Sequence, residues 1–246
     1  MILGYIILFS LLGSVGSIAV AALFLVFPDK TRSSLLPGVL SYATGTLLGT
    51  AFLGLIPELL KDVSDRQMSA MVLSGIILFF LLEKLVIWRH CHTEECDIHE
   101  ASGPLILIGD GVHNFVDGIV IAVAFLSSIP LGVAVSISII THEIPQEVGD
   151  FAILLKNKYS LKKAFGLNIV SGLTALVGSV GAYFFLGALT PMIPLAMGLA
   201  AGSFLYIALA DLIPGLHRTT LFRHSALQVV LLVAGVSTIL LFHLNP

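Results

Sequence analysis

Residues 104–155 read PLILIGDGVHNFVDGIVIAVAFLSSIPLGVAVSISIITHEIPQEVGDFAILL, and this stretch decides the fold class. It contains two long apolar runs, 104–127 and 131–155, with a short turn between them. A helix that crosses a bilayer needs about 20 mainly apolar residues. Each run therefore predicts one membrane-spanning helix, and both of these helices carry ionisable residues within otherwise apolar sequence.

The rest of the chain has a similar composition. Its 246 residues are 57% hydrophobic and only 11% charged, whereas soluble proteins carry about 25% charged residues. We predict an all-α integral membrane protein with a single transmembrane domain, 1–246. Without a long basic run, a nucleic-acid partner is not expected, and the apolar start of the chain predicts a first span rather than a cleaved signal peptide. The eight predicted spans are 3–27, 35–58, 69–88, 104–127, 131–155, 164–188, 192–214 and 226–244.

The basic residues indicate the orientation of these helices. Of the twelve Lys and Arg residues, nine fall in loops on one side of the membrane and two on the other, with Lys84 inside a helix end. Cytoplasmic loops carry an excess of Lys and Arg. Both termini are therefore predicted to lie outside the cytoplasm. The short loops are typical of a minimal prokaryotic protein, so we expect an inner-membrane location.

A weak internal repeat relates the second helix to the seventh. A shift of 157 positions places Gly45 on Gly202 and Leu55-Ile56-Pro57 on Leu212-Ile213-Pro214. The two helices run in opposite directions in the predicted topology, so the repeat is inverted, as in many secondary transporters. The predicted arrangement is 3+2+3, with the fourth and fifth helices between two related triplets.

Ionisable and amide side chains concentrate on the fourth and fifth helices. Ionisable groups cost about 2.5–3.5 kcal/mol each at membrane depth, so chains that keep them generally use them. His113 and Asp117 are four residues apart and share one helical face, as do His142 and Gln146. Imidazole nitrogens together with carboxylate and amide oxygens suit zinc, iron or manganese. The fourth helix carries Asp110, His113, Asn114 and Asp117, the fifth carries His142, Glu143, Gln146, Glu147 and Asp150, and the other helices carry chiefly Glu58, Glu83 and Asp211.

These two helices also resemble a known family. Residues 109–118, GDGVHNFVDG, resemble the fourth-helix signature of the ZIP metal transporters, in particular their LIV-1-like branch. Residues 142–150, HEIPQEVGD, resemble that branch's fifth-helix signature, HExPHExGD. The resemblance implies an eight-helix transporter that moves divalent metal, most often zinc, toward the cytoplasm.

The resemblance also implies a two-metal centre between the fourth and fifth helices. The signature has histidine where this chain has Gln146, which predicts weaker binding at that position. We expect the transported substrate to be Zn²⁺, or Fe²⁺, Mn²⁺ or Cd²⁺, and no catalytic cofactor. The implied ligands are His113, Asn114, Asp117, His142, Glu143, Gln146 and Asp211, and further residues expected on the ion path are Asp110, Glu147, Asp150 and Glu58.

A polar loop at 89–100 follows the third helix and is rich in metal-binding side chains. Its spacing fits no zinc finger, and a solvated loop with cysteines kept reduced by the cytosol is the alternative. Imidazole and thiolate are the ligands that zinc prefers, so transient metal contact is predicted. The residues concerned are His90, Cys91, His92, Cys96 and His99.

Two other functions compete with transport. An intramembrane zinc protease would place His-Glu-x-x-His on a helix, but the second histidine is replaced by Gln146. A membrane scaffold stabilised by metal is the other alternative, and neither would move metal across a membrane.

Two further features have structural interpretations. Glu83 and Lys84 are interpreted as an interfacial charge pair. Small residues at Gly172, Gly178 and Gly181 would suit helix contact in a homodimer.

Overall fold

The computed structural model describes residues 1–88, 103–217 and 222–244, and these residues form helices and short turns. No strand occurs within these three ranges, which confirms the all-helical class predicted from the sequence. The long helical segments are α1 (Ile2–Phe24), α2 (Asp29–Leu59), α3 (Asp65–Trp88), α4 (Gly103–Ser127), α5 (Ile129–Lys156), α6 (Leu161–Ala188), α7 (Thr190–Leu216) and α8 (Phe222–Leu244).

Seven of these segments are long and apolar enough to cross a membrane, counting over the described ranges. The exception is α5, whose second half carries the polar run 142–150. Large apolar side chains such as Leu73, Val177 and Val229 are more than half exposed, as expected for surfaces that face lipid. The protein is therefore an all-α, multi-pass membrane protein.

Wide π-helical turns interrupt three of the segments, at Leu12–Gly16, Thr50–Leu55 and Ile207–Leu212. The last two each lead directly into a turn that contains a proline, Pro57 or Pro214. Proline cannot donate to the carbonyl four residues earlier and its ring collides with that carbonyl. A π-turn adds one residue to the turn, and this relieves the collision without breaking the helix.

Glycines allow neighbouring helix backbones to approach closely. A Cβ on Gly45 of α2 would lie 2.0 Å from the Leu232 carbonyl oxygen of α8, and one on Gly202 of α7 would lie 2.3 Å from the Val72 carbonyl oxygen of α3. Small residues at such positions are the usual basis of helix packing in membranes. The α2–α8 and α3–α7 pairs are therefore held at distances that no larger side chain would permit.

Two of the three glycines expected at a dimer contact serve contacts within the chain instead. A Cβ on Gly178 would lie 2.1 Å from the Phe115 carbonyl oxygen, and one on Gly172 would lie 2.7 Å from the Ile18 side chain. Only open space surrounds the same position on Gly181. Helix contact at 172 and 178 is therefore intramolecular.

The polar helix α5 is largely buried among the other segments. Ser128 caps its first turn by accepting from the Leu131 backbone N–H at 3.3 Å. Further along, Ser138 and Thr141 contact α2 through hydroxyl pairs, with Thr50 Oγ1 at 2.6 Å and Thr46 Oγ1 at 2.9 Å respectively. These contacts fix α5 just before the polar run that begins at His142.

Candidate metal centre

Two side chains from α4 and two from α5 converge near the middle of the protein. They are His113 and Asp117 from α4 and His142 and Glu143 from α5, and each offers one ligand atom within 4.8 Å of the others. Asp117, His142 and Glu143 are at most 1% exposed. The i, i+4 spacing of His113 and Asp117 on α4 was predicted from the sequence, whereas on α5 the sequence paired His142 with Gln146 rather than with Glu143.

The separations between these ligand atoms suit one small ion. The two histidine Nε2 atoms lie 3.2 Å apart. Each also lies 3.2 Å from one carboxylate oxygen and 3.7 Å from the other, Asp117 Oδ2 or Glu143 Oε1. Ligands placed tetrahedrally at 2.0–2.2 Å from zinc are about 3.4 Å apart. The observed 3.2–3.7 Å distances therefore match the ligand spacing of a four-coordinate zinc ion.

The backbone of α5 orients one of the imidazoles. His142 Nδ1 lies 2.9 Å from the Ser138 carbonyl oxygen, one turn earlier on the same helix. Because a carbonyl oxygen can only accept, the proton must be on Nδ1. The lone pair on Nε2 then faces the centre. Metal-binding histidines usually make this kind of hydrogen bond with their other ring nitrogen.

A cavity of about 360 Å³ adjoins the centre and reaches His113, whose side chain is 12% exposed. Gln146 and Asp211, both predicted ligands, line this cavity but do not belong to the group of four. Glu83 lines it as well. The centre is thus open on one side to a mainly apolar cavity whose polar residues are Glu83, His113, Gln146 and Asp211.

Glu83 lines the cavity, whereas the sequence predicted a charge pair between Glu83 and Lys84 at the membrane interface. Its Oε2 accepts from the Tyr206 hydroxyl of α7 at 2.5 Å, and no ion pair with Lys84 occurs among the described residues. Consecutive helical residues point about 100° apart, so the two could not share a face. The usable signal was a carboxylate inside an apolar helix, which is a functional candidate by default.

A second group of carboxylates lies beside the first. Asp110, Glu143 and Glu147 each offer an oxygen within 4.8 Å of the other two. Asn114, a predicted ligand, donates from Nδ2 to Asp110 Oδ1 at 2.9 Å and so supports this group. Asp150 is half-buried, and its Oδ2 has no hydrogen-bond partner.

Glu58 does not join either group. Its carboxylate pairs with Lys61 at 2.6 Å, and it lines a separate polar pocket with Asp62, Ser127 and Thr190 at the opposite ends of the helices. Glu58, which was expected on the ion path, therefore lies away from the four-ligand centre. The five predicted loop contacts, His90, Cys91, His92, Cys96 and His99, lie outside the described residues.

Comparison with known proteins adds an independent observation. Residues 89–243, more than half of the chain, match the profile of the family described as ZIP Zinc transporter. The chain belongs to the ZIP family. The family predicted from the two signatures is thereby confirmed.

Three relatives illustrate how far the similarity extends. Zinc transporter ZIP13 of Pongo abelii is 34% identical over 224 residues, which are 84% of this chain and 66% of that protein. Zinc transporter foi of Drosophila melanogaster is 36% identical over 143 residues, 57% of this chain and 20% of that protein. Zinc transporter ZIP10 of Danio rerio is 36% identical over 149 residues, which are 56% of this chain and 17% of that protein. This ZIP chain therefore spans only 17–66% of the length of these relatives.

Proposed function

We propose that this ZIP protein transports divalent metal ions, most readily zinc, across a membrane toward the cytoplasm. The observation that carries the proposal is the 3.2–3.7 Å spacing of two imidazole nitrogens and two carboxylate oxygens inside a membrane domain. Buried ionisable groups at this depth are costly and generally mark an ion path. Relatives named as zinc transporters support the same substrate. The ion is cargo, and we infer no enzymatic role for it.

The predicted ligands and path residues divide into three sets by position. His113, Asp117, His142 and Glu143 would hold the ion, and Asn114 would position Asp110 of the neighbouring carboxylate group. The cavity residues Gln146 and Asp211 would meet it on the way in or out, and Asp110, Glu147 and Asp150 would extend the path. Iron, manganese and cadmium remain alternative cargoes because mixed N and O ligands also bind them.

All eight long segments are inferred to span the bilayer, α5 included. Its polar face is covered by α2 and α4, so its charges need not meet lipid. An inverted repeat is supported by the two π-turns, since Thr50–Leu55 shifted by 157 positions falls on Ile207–Leu212. The glycines Gly45 and Gly202, which the same shift relates, each contact a neighbouring backbone.

The orientation of the chain is inferred from the distribution of basic loops, and the family resemblance implies transport toward the cytoplasm. The cavity beside the centre is lined by Glu83, Gly109 and Asp211, near helix ends that lead into the basic loops. Those loops are expected in the cytoplasm, which places both termini outside it. An inner-membrane location, a homodimer and metal capture by the 89–100 loop remain predictions.

The two competing functions fit the site less well. A protease would need Glu143 free to act as base toward a zinc-bound water, but its Oε1 lies 3.2 Å from His113 Nε2 within the ligand group. A purely structural zinc site is normally closed, whereas this one adjoins a cavity of about 360 Å³. Neither alternative would produce metal flux.

Zinc flux into proteoliposomes, read with a trapped zinc-sensitive dye, tests the proposal directly. Wild type should take up zinc, and His113→Ala and Asp117→Ala should each remove most of this uptake, because each deletes a ligand and strands its partners at membrane depth. The matched control is His217→Ala, since His217 is exposed at the end of α7 and outside the site. Full uptake in both site variants would refute the assignment of the centre.

A further inference from the structure

Glu147 is completely buried, and neither of its carboxylate oxygens has a hydrogen-bond partner among the described residues. Asp110, at 4% exposed, likewise has an unpartnered Oδ2. Buried polar groups are almost always paired, so each exception calls for an explanation. These carboxylates lie beside one another, because Asp110, Glu147 and Glu143 each contribute an oxygen to a group within 4.8 Å.

We propose that Asp110, Glu143 and Glu147 form a second binding site, for a hard divalent cation, that shares only Glu143 with the histidine centre. All three ligands are carboxylates, and oxygen-only sites suit manganese, calcium and magnesium rather than zinc. Oxygens on opposite sides of a calcium ion, at 2.3–2.6 Å each, are about 4.6–5.2 Å apart. An oxygen group that extends no further than 4.8 Å can therefore surround one ion of this size with little movement.

This site differs from the two-metal centre that the family resemblance implies. Neither Asp110 nor Glu147 belongs to that ligand set, and no imidazole belongs to the carboxylate group. One oxygen of Asp110 is already held by the Asn114 amide at 2.9 Å. The bond leaves Oδ2 free and limits rotation of the carboxylate, as expected for a positioned ligand.

The two sites share Glu143, which makes them neighbours on one path. Glu147 lies one turn beyond Glu143 on α5, and Asp110 lies one turn before Asn114 on α4, a displacement of about 5.4 Å along each helix. Both displacements lead toward Gly103 and Lys156, the helix ends that adjoin the basic loops. Given the proposed transport function, an ion that leaves the histidine centre would next meet oxygen ligands only, which bind zinc less tightly and so favour its release.

Manganese binding to the purified protein in detergent tests the site without any transport. One equivalent of zinc is added first to fill the histidine centre, and Mn²⁺ is then titrated and observed by electron paramagnetic resonance. We expect bound Mn²⁺ whose spin-echo modulation shows no imidazole nitrogen, because the ligands are carboxylates. Bound Mn²⁺ should also raise the melting temperature, since it binds the folded state.

Glu147→Gln keeps the side-chain shape but removes the charge, and should weaken Mn²⁺ binding at least tenfold. Asp110→Asn should also weaken Mn²⁺ binding at least tenfold. It serves as the test variant if the Glu147→Gln protein does not fold. The control Asp65→Asn removes a carboxylate from the exposed first turn of α3 and should leave Mn²⁺ binding unchanged.

Nitrogen modulation on all bound Mn²⁺, or unchanged binding in both site variants, would overturn the carboxylate site. Zinc uptake by wild type in liposomes reports on the proposed function alone. Suppose that zinc uptake persists but that neither Glu147→Gln nor Asp110→Asn changes Mn²⁺ binding. This result would refute the carboxylate site and leave the transport function intact.

Discussion

The contact between α4 and α6 predicts that one added methyl group will disturb the metal centre. Gly118 directly follows the ligand Asp117, and a Cβ at this position would lie 1.9 Å from the Ala175 carbonyl oxygen. We therefore consider Gly118→Ala. Gly111→Ala is the matched control, because Gly111 lies on the same helix and its added Cβ would meet only ordinary contacts, the nearest at 3.7 Å from the Thr174 side chain.

The size of the effect follows from these distances. To bring the new Cβ to ordinary contact at 3.4 Å, α4 and α6 must separate by about 1.5 Å at this level. Metal sites are defined to about 0.2 Å in ligand distance, so Asp117 would be displaced well beyond what the centre tolerates. Overpacking costs about 1–3 kcal/mol, and the gain of about 1 kcal/mol from replacing a helical glycine offsets only part of it.

Zinc titration calorimetry and thermal melting in detergent measure both consequences. Gly118→Ala should bind zinc about tenfold more weakly or worse, an effect of the size seen when the residues that support metal ligands are altered. It should also melt at a lower temperature. Gly111→Ala should change zinc affinity less than twofold and stability by less than about 1 kcal/mol. If the two variants gave equal affinities and melting temperatures, the close α4–α6 contact would not be what positions Asp117.

The remaining predictions concern orientation, the loop and Gln146. In a background without native cysteines, Asp65→Cys should react with an impermeant reagent from outside, whereas Lys158→Cys should not. The distribution of basic residues is the reason for this expectation. The reverse labelling pattern would show that the topology is inverted. Replacing the histidines and cysteines at 90–92 and 96 should change apparent zinc affinity in uptake assays but leave residual flux, and complete loss at normal expression would contradict a purely accessory role. Gln146→His should lower the zinc half-saturation and the maximal rate, since it adds a nitrogen ligand beside the cavity. Gln146→Glu should also tighten binding, but with a steeper pH dependence because a carboxylate must lose its proton to coordinate. Uptake curves identical to wild type at two pH values for both variants would show that residue 146 does not meet the ion.

Much of the architecture was predictable because a bilayer imposes a simple length rule on apolar segments. The start of α2 shows the limit of that rule. Hydropathy predicted a helix from 35, but the helix begins at Asp29, since its polar first turns lie outside the apolar stretch. The π-turns at Thr50–Leu55 and Ile207–Leu212 were not predicted, because they depend on backbone hydrogen bonding rather than on composition.

The site was predictable where its residues follow helical spacing. His113 and Asp117 share a face by periodicity, and the structure brings them to His142 and Glu143. Periodicity cannot tell which polar residues on a helix meet a neighbouring helix and which face a cavity. Gln146, which shares a helical face with His142 and is an implied ligand by family resemblance, lines the cavity beside the group of four. The bond from Tyr206 to Glu83, which joins residues 123 positions apart, could not be inferred at all.

The hydrogen bond from His142 Nδ1 to the Ser138 carbonyl oxygen has a consequence for mutational robustness. In many metalloproteins the group that orients a ligating histidine is a side chain, and its loss changes affinity 10–100-fold. Here the acceptor is main chain, so it survives any substitution at position 138 that keeps the helix intact. Random sequence change around α5 therefore cannot easily detune this imidazole. An engineer who wishes to alter metal preference would have to replace the ligands themselves, His142 among them, or add new ligands from the cavity side.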